Sequence, residues 1–148
     1  METGLTVREM SVADRAVWAG MYAQLFPDAS PDACLTEIDR ILAAPDRTGF
    51  IAEAAGQPLG FAELSIRDFA NGCETQPVPF LEGIWACGTA RRQGVASALL
   101  HHLEAFARAS GHTELGSDVL QGNGDGVGFH LDRGFQETER VIYYRKPL

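Results

Sequence analysis

Apolar and polar positions divide the 148-residue chain into short, regularly patterned stretches. Leu5–Met10 alternates and predicts a first strand. Ser11 with Asp14 three residues on is a helix-start signal like a shortened capping box. Ala13, Val17, Met21 and Leu25 then recur at helical spacing as far as Phe26-Pro27-Asp28. Ser30 and Pro31 open a second helix with the stripe Cys34, Ile38, Ile41 and Leu42, and Pro45-Asp46 stops it. Phe50–Ala54 and Leu59–Ile66 read as strands joined by the turn Ala55-Gly56-Gln57-Pro58, with Gly60 marking a bulge or a close approach. Residues 67–77 are rich in turn formers and predict a loop, and Val78–Ala86 predicts the next strand. Val95, Leu99, Leu100, Leu103 and Phe106 fall on one face of a helix that Gly111 ends. Thr113–Val119 predicts a strand, Gly122–Phe129 holds four glycines, and Phe135–Glu139 and Val141–Arg145 predict two closing strands.

The order is β-α-α-β-β-β-α-β-(α)-β-β, without internal repeat or linker. Antiparallel middle strands and a later strand-helix-strand crossover imply a mixed α/β (α+β) fold, a mostly antiparallel sheet with helices on its faces. A chain of this length suits one domain, residues 1–148.

Composition removes several function classes. No apolar run approaches the roughly 20 residues that span a bilayer, and the start METGLTVREM lacks a leader's apolar stretch. A net charge of −8 argues against nucleic acid and suits a cationic partner. Cys34, Cys73 and Cys87 show neither an even count nor metal-ligand spacing, so reduced thiols in a cytoplasmic protein, with no metal, are expected.

The chemistry concentrates at Arg91-Arg92-Gln93-Gly94-Val95-Ala96, between the apolar strand and the amphipathic helix. The first turn of a helix has N–H groups without intrahelical partners, and the helix dipole adds partial positive charge there. Gly94 lets an anion approach the backbone, and the arginines add full charges. The turn is neither a Walker loop nor a GxGxxG loop. It fits Arg/Gln-x-x-Gly-x-Gly/Ala, and with it the chain resembles the GNAT superfamily of N-acetyltransferases, where this turn binds the acyl-CoA pyrophosphate. That resemblance implies two central parallel strands, here 78–86 and 113–119, splayed apart to admit the pantetheine arm.

Further blocks carry the resemblance along the whole chain: Leu25-Phe26-Pro27, Ser65-Ile66-Arg67, Asn71-Gly72-Cys73-Glu74, Pro77-Val78, Phe80-Leu81-Glu82-Gly83-Ile84, Ser117-Asp118 and Gly134–Tyr144. They resemble the aminoglycoside 6′-N-acetyltransferases, closest to the short chromosomal, dimeric type. Phe26 stands where that group usually has Trp, and Phe69 where a Tyr is common, both bordering the antibiotic cleft.

The resemblance implies acetyl transfer from acetyl-CoA to the 6′-amine of an aminoglycoside, in a homodimer formed through the closing strands. It places Glu82 and Asp118 as catalytic, amine-binding carboxylates, with Glu74 and more weakly Glu139 completing an acidic wall. A backbone N–H around Ile84-Trp85-Ala86 would stabilise the oxyanion, and Asn123 would contact the pantetheine arm. His130, four residues before Gly134-Phe135, can donate a proton to the leaving thiolate, hold a water that does, or be a structural, hydrogen-bonded ring; Tyr143 and Tyr144 are alternatives for the donor role. The helix implied at 122–128 would be short or frayed, since each glycine weakens it by about 1 kcal/mol relative to Ala. Two alternative functions stand beside the first: acetylation of another amine, such as a polyamine or a protein N-terminus, and non-catalytic acyl-CoA binding.

Overall fold

In the computed structural model, which describes residues 4–148, Ala55 and Gly56 take φ of 51° and 75° and fold the chain back in a two-residue hairpin. The hairpin joins β2 (Arg47–Ala54) to β3 (Gln57–Arg67), and positive φ at both central residues matches the twist of the strands it joins. β1 (Leu5–Glu9) pairs antiparallel with β2, and β4 (Val78–Ala86) antiparallel with β3. β5 (Gly116–Ser117) runs parallel to β4, and the sheet order is β1-β2-β3-β4-β5. This is the mixed, mostly antiparallel sheet the pattern implies. Met1–Thr3, part of the stretch read for a leader, lie outside the described residues.

Helices cover both faces. α3 (Val95–Ala109) buries Val95, Leu99, Leu100 and Leu103 against Phe50, Ala62, Leu64 and Leu81. α1 (Arg15–Leu25) and α2 (Pro31–Ala43) bury Trp18, Met21, Cys34, Ile38 and Ile41 against Ile51 and Phe61 on the opposite face. Each such fully buried aliphatic side chain contributes about 1.5–3 kcal/mol relative to exposure. Ser30 caps α2 by accepting from Ala33 N–H at 3.1 Å. Gly111, at φ 90°, ends α3: its N–H bonds Arg108 O and the N–H of His112 bonds Ala107 O, the Schellman arrangement.

The first helix differs from its pattern. A 3-10 turn, Val12–Asp14, precedes α1 and rotates its start, so Ala13 and Val17 face solvent while Trp18 and Ala19 turn inward. Gly49 makes room for Trp18, since a Cβ there would overlap the indole ring. Asp14 is fixed from two sides, accepting from Ser11 N–H at 2.9 Å and from Arg8 at 2.8 and 2.9 Å. Gly60 does mark a close approach, because a Cβ would meet Trp85 O; it follows the register shift at Ala52/Glu53.

The C-terminal quarter departs furthest. β5 holds two residues instead of the seven of Thr113–Val119. α4 (Gly124–Asp132) begins later than 122 and buries none of its residues. The closing strands Phe135–Glu139 and Val141–Arg145 do not form: residues 135–148 have no regular structure, and Ile142, Tyr143 and Tyr144 are largely exposed. A strand needs a neighbour to satisfy its backbone, and this segment has none among the described residues.

Ala55 is the one described non-glycine residue at positive φ. Ala55→Asn, which gives the Asn-Gly pair such turns favour, is expected to stabilise the protein by about 0.5–1 kcal/mol, read as a raised urea midpoint at unchanged slope.

Candidate active site

β4 is irregular along both edges. Opposite β3, Glu63 pairs with Gly83 and Leu64 with Leu81, so Glu82 is an extra residue, a β-bulge. Opposite β5, Phe80 pairs with Gly116 and Leu81 with Ser117. Beyond those pairs, Glu82–Ala86 have no β5 partner among the described residues. A wedge therefore opens from Glu82 onward, and the backbone of Ile84, Trp85 and Ala86 faces it on that edge. Ile84 and Trp85 are half-buried and pack on opposite faces of the sheet, and Ala86 is buried.

Glu82 sits in a polar cluster that continues an otherwise apolar face. β3 alternates Phe61, Glu63, Ser65 and Arg67 on the side covered by α1 and α2. Past the helices this face turns polar. Ser65 Oγ donates to Glu82 Oε1 at 2.5 Å, and Arg67 donates through Nε and Nη2 to the two Glu82 oxygens at 2.9 and 3.0 Å. The Arg67 guanidinium also lies 3.6 Å from the centroid of the Phe80 ring. Burial pushes the Glu82 carboxyl up, but the bonds from Arg67 and Ser65 and the nearby charges outweigh it, leaving it below the usual carboxylate range.

Beside this pair lies a second, more enclosed one. Arg47 donates to Glu63, with Nε at 2.7 Å from Oε2. Burial holds the Glu63 carboxyl above its ordinary value in spite of Arg47. Asp46, Arg47, Arg67, Asp68, Phe69 and Glu82 line one open cavity of 470 Å³.

Asp118 follows β5 directly and is exposed; its charge and, more strongly, the Glu82 hydrogen bonds favour the charged form of Arg67. His130 reaches β5 from α4. Its Nδ1 is 2.6 Å from Gly126 O and its Nε2 2.7 Å from Ser117 Oγ. A carbonyl only accepts, so Nδ1 carries the proton and the Nε2 of the neutral ring accepts from Ser117. A neutral His130 thus has no free N–H.

The basic turn takes the expected form. Arg91–Gln93 make a 3-10 turn, Gly94 adopts φ 76°, and α3 begins at Val95. Ala98 N–H to Gly94 O, 2.9 Å, is the first α-helical bond, so the preceding N–H groups stand ahead of the ladder. Nothing lies within 4 Å of where a Gly94 Cβ would be. Arg91 ties the turn to the end of β4, donating to Ala86 O at 3.4 Å, and Gln93 donates to Thr89 O at 3.4 Å. Val95 is buried and Ala96 half-buried, and Arg92 is described in its backbone alone. Asn123 caps α4, accepting from Gly126 N–H at 3.0 Å.

The remaining candidates are dispersed. Phe26 ends α1, exposed, with its ring 4.6 Å from that of Tyr22. Phe69 is exposed on the cavity wall. Glu74 and Glu139 do not line this cavity: the first lies in a loop whose N–H groups bind Glu114, the second on the exposed C-terminal segment. Sequence reasoning missed Arg47, Glu63, Ser65, Arg67 and Ser117. The polar alternation Glu63-x-Ser65-x-Arg67 was the available signal. Among the described residues, no group of three or more His, Cys, Asp or Glu is placed to hold a metal.

Comparison with known proteins places these features in a family. A family model described as "Acetyltransferase (GNAT) family" matches residues 16–135. An aminoglycoside N(6′)-acetyltransferase type 1 of Serratia marcescens is 43% identical over 133 residues, 88% of this chain and 91% of that protein. One from Klebsiella aerogenes is 39% identical across 100% of both chains. A solved structure of AAC(6′)-Iy in complex with the bisubstrate analog CoA-S-monomethyl-acetylneamine superposes with a TM-score of 0.91 at 39% identity, covering 97% of this chain and 99% of that one. AAC(6′)-Ih from Acinetobacter baumannii also gives 0.91, at 33% identity over 98% and 99%.

Arg47→Met would leave Glu63 enclosed without its cation, which is expected to destabilise the fold by about 3–5 kcal/mol near neutral pH. A carboxyl whose folded pKa is raised contributes stability that is present below its unfolded value and lost as pH rises through the folded value. The variant's urea midpoint should therefore recover as the pH is lowered from neutrality towards the carboxylate range, and recover more than that of the wild type.

Proposed function

The chain belongs to the acetyltransferase (GNAT) family, among the aminoglycoside N(6′)-acetyltransferases, and from that premise we propose that it transfers acetyl from acetyl-CoA to the 6′-amine of an aminoglycoside, a resistance activity. The observation that supports this most is the parting of β4 from β5 beyond Leu81 and Ser117, directly beside the bulged carboxylate of Glu82. An acyl-thioester arm needs such an opening, with unpaired strand backbone along one wall.

In this reading the N–H groups of Gly94, Val95 and Ala96, with Arg91, Arg92 and Gln93, hold the CoA diphosphate. Asn123 lies near the pantetheine arm. Glu82 and Asp118 draw in the cationic sugar and orient the reacting ammonium, while Phe26, Phe69, Glu74 and Glu139 border the drug. The ammonium must first lose a proton, which for a lysine-like amine costs about 4–5 kcal/mol at pH 7. One of the two carboxylates takes that proton, directly or through water. The amine nitrogen then bonds to the thioester carbon, and a backbone N–H of Ile84–Ala86 stabilises the oxyanion. The C–S bond breaks, the nitrogen gives its remaining extra proton to water, and the thiolate takes up a proton from a water beside His130, whose own ring nitrogens are engaged by Gly126 and Ser117.

We further propose a homodimer. No described residue after Gly116 is buried, and Leu120, Leu131, Ile142 and Tyr144 expose large apolar surface. A second copy would cover this C-terminal part of the chain and give residues 135–145 a strand partner. Three free cysteines support a cytoplasmic setting.

Thiol release from acetyl-CoA, assayed with kanamycin- and gentamicin-type drugs, tests the activity; no release with any of them would refute it. Glu82→Ala and Asp118→Ala are each expected to lower turnover by about 10²-fold or more, with acetyl-CoA affinity nearly unchanged. Gly94→Asp should do the reverse, weakening acetyl-CoA binding by steric block and charge repulsion. Sedimentation of the full chain should give twice the monomer mass, and removing residues 136–148 should yield monomer.

A further inference from the structure

Arg67 and Ser65 together fill three of the roughly four acceptor sites through which the Glu82 carboxylate could bind a substrate ammonium. Both bonds from Arg67 to Glu82 are within hydrogen-bond distance, at 2.9 and 3.0 Å, and the Arg67 guanidinium stacks on Phe80 at 3.6 Å. Ser65 uses a further lone pair of the same carboxylate. Glu82 is thus already neutralised.

Its neighbour shows that this pair differs from a structural one. In the Arg47–Glu63 pair the side chains are 24% and 6% exposed; in the Arg67–Glu82 pair they are 39% and 20% exposed. Arg47 reaches the same cavity but Glu63 does not, so the first pair cannot part without leaving a buried carboxylate alone. Both members of the second lie on the wall of the 470 Å³ cavity, and both are more exposed than their counterparts in the first.

We propose that Arg67 is an exchangeable counter-ion: it holds Glu82 in the free enzyme, leaves when the substrate ammonium binds, and thereby selects for polycationic amines. This rests on the aminoglycoside reading above. The selection follows from the competition. Arg67 is tethered, so it competes for Glu82 at a high effective concentration, and an amine with one charge replaces one cation by another at a loss. The cavity wall carries Asp46, Asp68 and Glu82 against Arg47 and Arg67, three negative charges against two positive. With Arg67 turned out, the balance is three against one. A ligand with several ammonium groups matches that wall; a ligand with one does not. Arg67 is accordingly a specificity and positioning residue, acting through Glu82.

The test compares wild type, Arg67→Gln and Arg67→Lys with kanamycin and with 6-amino-6-deoxyglucose, which carries a single amine. Arg67→Gln should lower KM for kanamycin by about 2- to 10-fold, the range of a partly exposed ion pair. It should raise kcat/KM for the monoamine relative to kanamycin, while KM for acetyl-CoA stays unchanged. Arg67→Lys, which keeps the tethered charge, should stay near wild type. If Arg67→Gln raises KM, leaves it unchanged, or lowers kcat/KM equally for both amines, Arg67 merely holds Glu82 in place and the proposal is overturned. Should Arg67→Gln fail to bind CoA, the wild type decides: the Arg67 Nε–H resonance should shift and lose protection from water exchange on saturation with kanamycin in the presence of CoA. A resonance unmoved and still protected overturns the proposal. Absence of any wild-type turnover with aminoglycosides would instead sink the functional reading itself, before any variant is compared.

Discussion

The register shift in β4 is the constraint on which the rest of the site depends. A regular strand would alternate Leu81 and Glu82 between the two faces and stay in step with β3. Leu81 and Glu82 keep that alternation, which puts the Glu82 carboxylate with Ser65 and Arg67 on the polar end of one face, and the extra residue breaks the step just beyond, where Gly83 pairs with Glu63. The same strand loses its other neighbour just there, because β5 pairs with Phe80 and Leu81 and then departs. One edge thus gains a projecting carboxylate where the opposite edge gains free backbone. Both features lie between two well-packed helical layers, so the irregularity is held by a core that is itself regular.

Charge is handled at two depths around this point. Glu63 is enclosed, raised in pKa by burial, and answered by Arg47. Glu82 is nearer the cavity and kept ionised by Arg67 and Ser65. The net charge of −8 is therefore no guide to the site by itself. The cavity wall carries only one more acid than base, and its affinity for a cation depends on which arginine can move.

The antiparallel core and the basic turn were legible because local chemistry dictates them. Val78–Ala86 and the helix from Val95 carry unambiguous periodicity, and Gly94 and Gly111 stand where positive φ is required. Glu82 was legible through its block of neighbours. Arg67 and Ser65 were not singled out, because an alternating strand does not say where the covering helices stop. The register of α1 slipped because a 3-10 turn is invisible to a 3.6-residue period, and Trp18 needs the space at Gly49, which lies in another strand. Residues 135–145 have a strand's composition but no strand's partner among the described residues, and composition carries no information about the partner.

α4 is the thinnest part of the molecule. It begins in a run of alternate glycines, it buries no residue fully, and its N-terminal turn is held by two bonds to Asn123, from Gly126 N–H to the side chain and from Val127 N–H to the carbonyl. Backbone entropy thus opposes this helix with little packing to offset it. Any ligand that requires α4 to be formed must supply the missing ordering free energy from its own contacts, so its measured affinity understates the strength of those contacts. Stiffening the segment would move that energy back into affinity and lengthen the time the ligand stays.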